Sequence, residues 1–271
     1  MKNHTIPILW GSLGIFASSH ASTLLLSDNF NDSNAGVPGF NDNLGVTQSG
    51  TLATTAYSLQ GTNYVAQHGN GGVLGASGVL LVATSTDGNG NGSVSLNNNF
   101  ATQANDTNQA LKITFNIGTV SGYADTSRWV QFNVGNSQHL DVGNASVGAG
   151  VLFRVSGGTQ LLSGGGGIGG GSAWSSNDLV TITLTDAAGT GSAFNGNGSK
   201  AAISIGATDY GTFTLAQQTN AYLTFSAFNY GGDQFGLGTF DNLNVTLVPE
   251  PGAALIGSLG MLGLLRRRRT L

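Results

Sequence analysis

Oxygen-bearing side chains crowd two short stretches of the chain, Asp28-Asn29-Phe30-Asn31-Asp32 near its start and Asp241-Asn242 near its end. Carboxylate, amide and carbonyl oxygens are the ligands that Ca²⁺ prefers, and the ion takes about six to eight of them. If the two stretches meet, Asp28 and Asp241 would hold a structural calcium ion. The same residue types also form Asx turns and hydrogen bonds at strand ends, so both interpretations stay open.

A second candidate chemistry is sugar binding, in which aromatic faces stack on apolar C–H surfaces beside amide or carboxylate groups. Trp174 follows a glycine-rich stretch, and Tyr230 lies in the polar segment Asn229-Tyr230-Gly231-Gly232-Asp233-Gln234. Exposed loops commonly carry ligand contacts, so we predict Trp174 and Tyr230 as contact residues. Trp129 begins an alternating apolar pattern and is expected in the core instead.

Catalytic residues are poorly represented between residues 22 and 247. Glycosidases usually need two carboxyl groups a few ångströms apart, and this region contains no Glu. The pattern Gly-x-Ser-x-Gly of serine hydrolases does not occur, and His139, one of two histidines available as a base, is expected on a polar loop. We predict a non-catalytic protein. The alternative is an enzyme that acts on extracellular polysaccharide through an Asp pair such as Asp28 and Asp241.

The run Gly164-Gly165-Gly166-Gly167-Ile168-Gly169 formally matches the dinucleotide pattern Gly-x-Gly-x-x-Gly. That pattern functions between a strand and a helix, whose N-terminus holds the phosphate. Here Ser172-Ala173-Trp174 and another strand pattern follow. We therefore predict a flexible glycine loop and no nucleotide site.

Charge and cysteine content exclude further classes of function. Between residues 22 and 248 four Lys and Arg stand against twelve Asp, which gives a formal charge of −8. Nucleic-acid binding needs clustered Lys and Arg to replace condensed counterions, so nucleic acid is not expected as a partner. The chain has no Cys, which excludes disulfides and thiolate metal sites.

Both ends of the chain carry membrane-targeting signals. Lys2, the apolar residues 6–17 and the pattern Ser19-His20-Ala21 predict a signal peptide over residues 1–21, cut between Ala21 and Ser22. Residues 252–265 are uncharged and would span about 21 Å as a transmembrane helix, against about 30 Å of bilayer hydrocarbon. A basic cluster follows, whose side chains can snorkel and favour the cytoplasmic side: Arg266, Arg267, Arg268 and Arg269.

The residues before this segment, Val248, Pro249, Glu250 and Pro251, complete a characteristic order of motif, short apolar helix and terminal arginines. Residues 248–271 thereby resemble the PEP-CTERM sorting signal, a tail also labelled an ice-binding-protein C-terminal motif. The resemblance implies export, transient membrane anchoring and cleavage near Pro-Glu-Pro by an exosortase-type protease. It also implies delivery to the cell surface or extracellular matrix. A membrane anchor that is never cut is the alternative.

Residues 22–247 show the alternation of polar and apolar side chains that is typical of half-buried antiparallel strands. The clearest stretches are residues 112–117, 129–134, 180–185, 202–205, 222–228 and 240–247. Clusters of Gly, Asn, Asp and Ser separate them, as turns require. We predict an all-β fold, a two-sheet antiparallel jelly-roll sandwich in one domain.

The opening Leu26-Ser27-Asp28-Asn29-Phe30-Asn31-Asp32 and the closing Phe240-Asp241-Asn242-Leu243-Asn244-Val245 resemble the first and last strands of concanavalin A-like and laminin-G-like jelly rolls. The resemblance implies that these two strands are neighbours, and related carbohydrate-binding modules hold a structural calcium ion in this region. The expected function is therefore a structural, adhesive or carbohydrate-binding role at the cell surface, with extracellular polysaccharide as a partner.

Overall fold

The structure is a computed structural model that describes residues 21–30, 48–53, 55, 57–61, 64–67, 80–84, 90–104, 109–121, 128–140, 144–189, 191–229 and 237–249. Within them lie sixteen β-strands and one 3-10 helix of three residues, Phe100–Thr102. No helix in the described part of the chain is long and apolar enough to cross a membrane. The predicted helix over residues 252–265 lies outside the described residues.

The strands follow one another with short connections where these are described. The first eight are β1 (Thr23–Asp28), β2 (Gln48–Ser49), β3 (Tyr57–Gly61), β4 (Tyr64–Gln67), β5 (Leu80–Thr84), β6 (Gly90–Leu96), β7 (Gln109–Ser121) and β8 (Arg128–Gly135). The remaining eight are β9 (Val147–Arg154), β10 (Gly158–Ser163), β11 (Gly166–Ala173), β12 (Asp178–Asp186), β13 (Ser199–Ile205), β14 (Thr208–Leu215), β15 (Tyr222–Asn229) and β16 (Leu237–Pro249).

Two antiparallel sheets form a jelly-roll sandwich, which confirms the predicted fold class. The seven-stranded sheet has the order β11-β10-β9-β8-β15-β6-β3. The nine-stranded sheet has the order β14-β13-β12-β7-β16-β1-β2, with β5 paired to β16 and β4 to β5. The first and last strands are neighbours, as expected, with Asp28 opposite Leu243. Strand β16 pairs with β7 as far as Pro249, two residues beyond the predicted end of the domain at residue 247.

The core lies between the sheets and follows directly from the alternation in sequence. In β12 the side chains of Val180, Ile182 and Leu184 are fully buried, whereas the intervening threonines are half-buried on the opposite face. Four phenylalanines from both sheets pack at the centre with ring centroids 4.6–5.9 Å apart: Phe115, Phe132, Phe225 and Phe240. Burying each such side chain stabilises the fold by about 1.5–3 kcal/mol.

A bulge in β16 interrupts the simple alternation that the sequence suggests. Phe240 and Leu243 are both fully buried although they are an odd number of residues apart. The pairing with β7 shifts between Asp241 and Asn244, and Asn242 takes a left-handed conformation with φ 51°. The bulge accommodates the extra residue and leaves Asp241 half-buried, opposite Asn116 of β7.

The glycine-rich run is a strand, so the prediction of a flexible loop is wrong. Residues Gly166–Ala173 form β11, the edge strand of the seven-stranded sheet, and Gly164 and Gly165 make the turn from β10. Pairing with β10 overrides the low strand propensity of glycine. At Gly170, φ is 130° and a Cβ atom would collide with the carbonyl of Thr159, so this position requires glycine.

Candidate functional site

One face of the seven-stranded sheet points away from the core, and we call it the outer face. In β8 the core-facing side chains are Val130, Phe132 and Val134, all fully buried. Trp129 directly precedes Val130, so its side chain is on the opposite side of the strand, half-buried on the outer face. The prediction that Trp129 lies in the core is wrong. Alternation within β8 thus decides the position of the tryptophan.

The outer face carries polar side chains that are buried. Five of them are at most 2 % exposed, and we call them the polar layer: Ser95, Gln131, Asn133, Thr224 and Ser226. The Thr224 hydroxyl donates to Ser95 Oγ at 3.1 Å, and Ser95 Oγ donates to the carbonyl of Leu223 at 3.1 Å. An outward-facing sheet surface is normally solvated. Here the outward-facing surface is covered and its polar side chains are buried. The sequence did not predict this, because a strand with alternating polar residues has the same pattern whether its polar face is covered or solvated.

Three buried polar atoms on this face have no hydrogen-bond partner among the described residues. They are the Oδ1 atom of Asn133, the Oγ atom of Ser226 and the Nε1 atom of Trp129. Buried polar atoms are nearly always paired, and leaving one unpaired costs about 1–3 kcal/mol. The three atoms comprise an acceptor, a hydroxyl and a donor, a set that a polyhydroxylated molecule can satisfy.

An aromatic pair borders the polar layer. The rings of Trp129 and Phe228 stack across β8 and β15 with centroids 4.4 Å apart and planes 15° from parallel. The guanidinium carbon of Arg154 lies 5.7 Å from the centroid of the Trp129 ring, and its Nη2 donates to Gln160 Oε1 at 2.8 Å. These contacts fix the orientation of the indole, so a stacking surface and a cation stand beside the unpaired atoms.

Residues 136–140, which we call the strap, follow β8 and cross the outer face. The carbonyl of Leu140 accepts a hydrogen bond from Asn133 Nδ2 at 3.1 Å. The side chain of Leu140 packs in a small apolar cluster on this face with Val147, Leu152 and Leu162. At the other end of the strap, Oδ1 of Asn136 accepts from the backbone N–H groups of Thr219 and Asn220 at 2.9 and 3.1 Å. The strap is thus held at both ends.

His139 joins the strap to two strands of the sheet. Its Nε2 lies 2.9 Å from Ser58 Oγ in β3, and its Nδ1 lies 2.9 Å from Ser93 Oγ in β6. Ser58 Oγ also donates to the carbonyl of Ser95 at 3.3 Å, so it accepts from Nε2–H while Nδ1 accepts from Ser93. Burial lowers the pKa of His139 from its usual value. Sequence reasoning placed this histidine on a polar loop and missed both contacts, because the serines are remote in sequence.

The two predicted calcium ligands occupy different environments. Asp28 is fully buried, with Oδ1 accepting from the backbone N–H of Phe30 and Oδ2 from the hydroxyl of Tyr57, both at 2.9 Å. Asp241 is half-buried; burial raises its carboxyl pKa, the negative charge of Asp28 adds to the rise, and the backbone N–H of Asn242 opposes it. The fold therefore brings the two charges within electrostatic reach. Within the described residues no three His, Asp or Glu side chains form a group that could hold a metal.

The predicted sugar contacts are placed only in part. Trp174 is half-buried against the core, edge-on to Phe153 with centroids 5.8 Å apart, and its Nε1 donates to the carbonyl of Arg154 at 3.3 Å. It therefore lies on the core side of the sheet, opposite the outer face that carries Trp129. Tyr230 lies outside the described residues.

The targeting residues lie at the two ends of the described sandwich. Ala21 and Ser22 are exposed and directly precede β1, and Val248 and Pro249 end β16. The other residues of the predicted tail lie outside the described residues: Glu250, Pro251, Arg266, Arg267, Arg268 and Arg269.

No family model matches the chain, and no curated protein matches it. Among solved structures, the metal-free carbohydrate recognition domain of Emp46p is 9% identical, covering 71% of this chain and 87% of that chain with a TM-score of 0.42. Lectin II from Ulex europaeus is 11% identical over 71% of this chain and 92% of that chain, with a TM-score of 0.42. A protein of unknown function from Shewanella oneidensis MR-1, SO2946, is 13% identical over 88% of this chain and 97% of that chain, with a TM-score of 0.39. Similarities at this level carry no inference about a ligand.

Proposed function

We propose that this protein is an exported, non-catalytic β-sandwich protein whose outer face binds carbohydrate. The observation that carries the proposal is the set of unpaired buried atoms on Asn133, Ser226 and Trp129, next to the stacked Trp129–Phe228 pair. Sugar rings offer hydroxyl groups that both donate and accept hydrogen bonds, and apolar faces that stack on aromatic rings. Both requirements meet on one face of one sheet.

Charge favours a neutral saccharide over an acidic one. The five residues of the polar layer carry no charge, and Arg154 is the cation placed beside them. The whole region between residues 22 and 248 has a formal charge of −8, which repels polyanions, nucleic acid included. A neutral extracellular polysaccharide is therefore the proposed partner, and the role is adhesive or structural at the cell surface or in the extracellular matrix.

Delivery to that location is proposed from the two ends of the sequence. Ala21 and Ser22 are exposed just before β1, where a signal peptidase would need to reach them. The sandwich strand β16 ends at Pro249, so the proposed transmembrane segment and arginine cluster lie beyond the last described strand. We infer transient membrane anchoring and processing by an exosortase-type protease, with permanent anchoring as the alternative.

A structural calcium ion at Asp28 and Asp241 stays a prediction. The closeness of the two negative charges favours it, since a cation would relieve the repulsion that helps to raise the pKa of Asp241. The hydrogen bonds that both oxygens of Asp28 already accept argue against it. Thermal unfolding of the full chain with calcium and with a chelator tests this prediction. A calcium-dependent rise in Tm that Asp241→Asn abolishes would establish the site.

The carbohydrate proposal is tested by binding of the purified full chain to a panel of neutral and acidic polysaccharides. We expect a neutral polysaccharide to bind, and Ser226→Ala to weaken that binding about tenfold while the protein stays folded, because the lost hydroxyl has no partner among the described residues. Trp174→Phe, on the core side, is the matched control and should bind normally. Absence of binding across the panel would refute the proposal, and release of soluble sugars would support the alternative, a polysaccharide-active enzyme.

A further inference from the structure

We propose that His139 is a pH-sensitive latch that holds the strap over the polar layer at neutral pH and releases it when the imidazole is protonated. The latch would control access of a saccharide to the polar layer, and in that respect the inference rests on the proposed function. The latch itself depends only on contacts of the strap with β3 and β6.

The hydrogen bonds of His139 need a neutral ring. Nε2–H donates to Ser58 Oγ, and Nδ1 accepts from Ser93 Oγ. A protonated imidazole is a donor at both nitrogens, so the bond from Ser93 is lost as it stands and its hydroxyl has to turn. Of the two links between the strap and the sheet at this residue, protonation therefore forces one to break in its present geometry and re-form with the opposite direction.

Among the described residues, no negative charge compensates a protonated His139 ring, and Asp141, two residues further on, lies outside the described residues. The serines that contact the ring come from β3 and β6, whose only titratable side chain is Tyr57, which lies in the core and is hydrogen-bonded to Asp28. The other contacts of the strap are made by uncharged groups. They reach β8, the segment 217–220 and Ser146, Leu96 and Asn97 through Gln138, and the apolar cluster around Leu140. Burial alone lowers the pKa of His139. A charged ring is therefore better solvated when it moves away from this half-buried position.

The direction of the pH effect follows from that depressed pKa. The closed form binds its proton less readily than an open form with an ordinary histidine, so acid shifts the equilibrium toward the open form. Opening is favoured progressively as the pH falls below about 6.5, the usual pKa of an exposed histidine.

Backbone strain and the positions of the anchors show which part of the strap would move. His139 has φ 55°, a left-handed conformation that is unfavourable for a residue with a side chain. Contacts must hold it there, and release relaxes it. The hydrogen bonds of Asn136 to residues 217–220, of Gln138 to Leu96 and Asn97, and of Leu140 to Asn133 do not titrate. Protonation therefore loosens the strap locally at His139 while these other contacts remain.

The latch is tested by hydrogen–deuterium exchange of the full chain at about pH 7.5 and about pH 5, corrected for the intrinsic pH dependence of exchange. In the wild type we expect peptides over residues 136–140 to lose protection about tenfold at the lower pH. Peptides over β12, in the other sheet, should not change. His139→Gln, which does not titrate, should show the same strap protection at both pH values. Ser93→Ala should expose the strap already at pH 7.5.

Two readouts separate this inference from the proposed function. Equal strap protection at both pH values in the wild type, or an unchanged pH response in His139→Gln, would overturn the latch even if a polysaccharide binds. If the strap opens as expected but no polysaccharide binds at either pH, the latch stands and the proposed ligand is wrong. If both hold, the affinity for the best-binding neutral polysaccharide should depend on pH in the wild type and not in His139→Gln.

Discussion

The hydroxyl of Tyr57 in β3 donates a hydrogen bond to Oδ2 of Asp28 in β1, 2.9 Å away, and so ties the two sheets together inside the core. Asp28 is fully buried, and the backbone N–H of Phe30 donates to its other oxygen. Burial raises the pKa of the Tyr57 phenol well above its usual value, and the negative charge of Asp28 raises it further. The carboxylate that the sequence suggested as a metal ligand is therefore also a structural link between the sheets.

Replacing Tyr57 by Phe should destabilise the protein strongly. The buried acceptor on Asp28 would lose a donor, which costs about 2–3 kcal/mol and lowers Tm by roughly 4–12 °C in a chain of this size. The matched control is Tyr210→Phe, whose hydroxyl shares a hydrogen bond with the neutral Thr159 at 2.7 Å and is only half-buried. Thermal unfolding of both variants checks the difference. Equal losses would mean that the charge of Asp28 contributes nothing at this position.

Asp241 should make stability depend on pH. Burial, assisted by the charge of Asp28, raises its folded-state pKa above the unfolded value. The folded state therefore favours the protonated carboxyl. This preference stabilises the fold fully at pH values below the unfolded-state pKa, and the stabilisation is lost as the pH rises through the folded-state pKa. Asp241→Asn keeps an acceptor for the backbone N–H of Asn242 and removes the charge; the bond that the other carboxylate oxygen accepts from the exposed Asn242 Nδ2 is replaced by solvent. We expect the variant to be at least as stable as the wild type at neutral pH, with a flatter stability curve as the pH rises above about 4, the usual pKa of an aspartate. Denaturant titrations across this range test it; a clear loss of stability at neutral pH would contradict the assignment.

The two indoles of the sandwich should respond differently to removal of their N–H groups. Nε1 of Trp129 is buried with no partner in the described part of the chain, whereas Nε1 of Trp174 donates to the carbonyl of Arg154. Trp129→Phe removes an unpaired donor, so its unfolding free energy should change less than that of Trp174→Phe, which loses about 1 kcal/mol of hydrogen bonding. Binding should show the reverse order, because only Trp129 lies on the outer face. Both variants are measured by chemical denaturation and by their affinity for polysaccharide. A larger loss of stability in Trp129→Phe than in Trp174→Phe would show that the N–H of Trp129 is already paired.

Gly150 should be essential for the polar layer. It lies opposite Asn133 in the β8–β9 pair, and a Cβ atom at this position would collide with Oδ1 of Asn133. Gly150→Ala should therefore cost about 1–3 kcal/mol and weaken saccharide binding through displacement of the amide. Gly158→Ala is the matched control in the neighbouring strand, since nothing lies within 4 Å of its Cβ position. Differential scanning calorimetry of the two variants decides, and equal melting temperatures would argue against tight packing at Asn133.

Alternation in the sequence predicted the sheets well and their second faces poorly. The stretch from Val180 to Thr185 assigns its three apolar residues to the core, and the structure agrees. The alternating stretch at Trp129 predicted the wrong side of β8 for the tryptophan, because the core-facing residues of β8 are Val130, Phe132 and Val134. The glycine run failed for a related reason. Glycine has little strand propensity of its own, and only pairing with β10 makes Gly166–Ala173 a strand.

By itself, the sequence determined the all-β class, the acidic body and the absence of disulfides, since these depend on composition and on local period-two patterns. That the first and last strands are neighbours was implied by their resemblance to concanavalin A-like jelly rolls, and the structure has them paired. Tertiary structure alone decided that the outer face is covered and that His139 meets Ser58 and Ser93, which are 81 and 46 residues away in sequence. Period-two alternation records which side of a strand a residue occupies. It contains no information about which remote segment crosses that side, and the buried polar layer arises from that crossing.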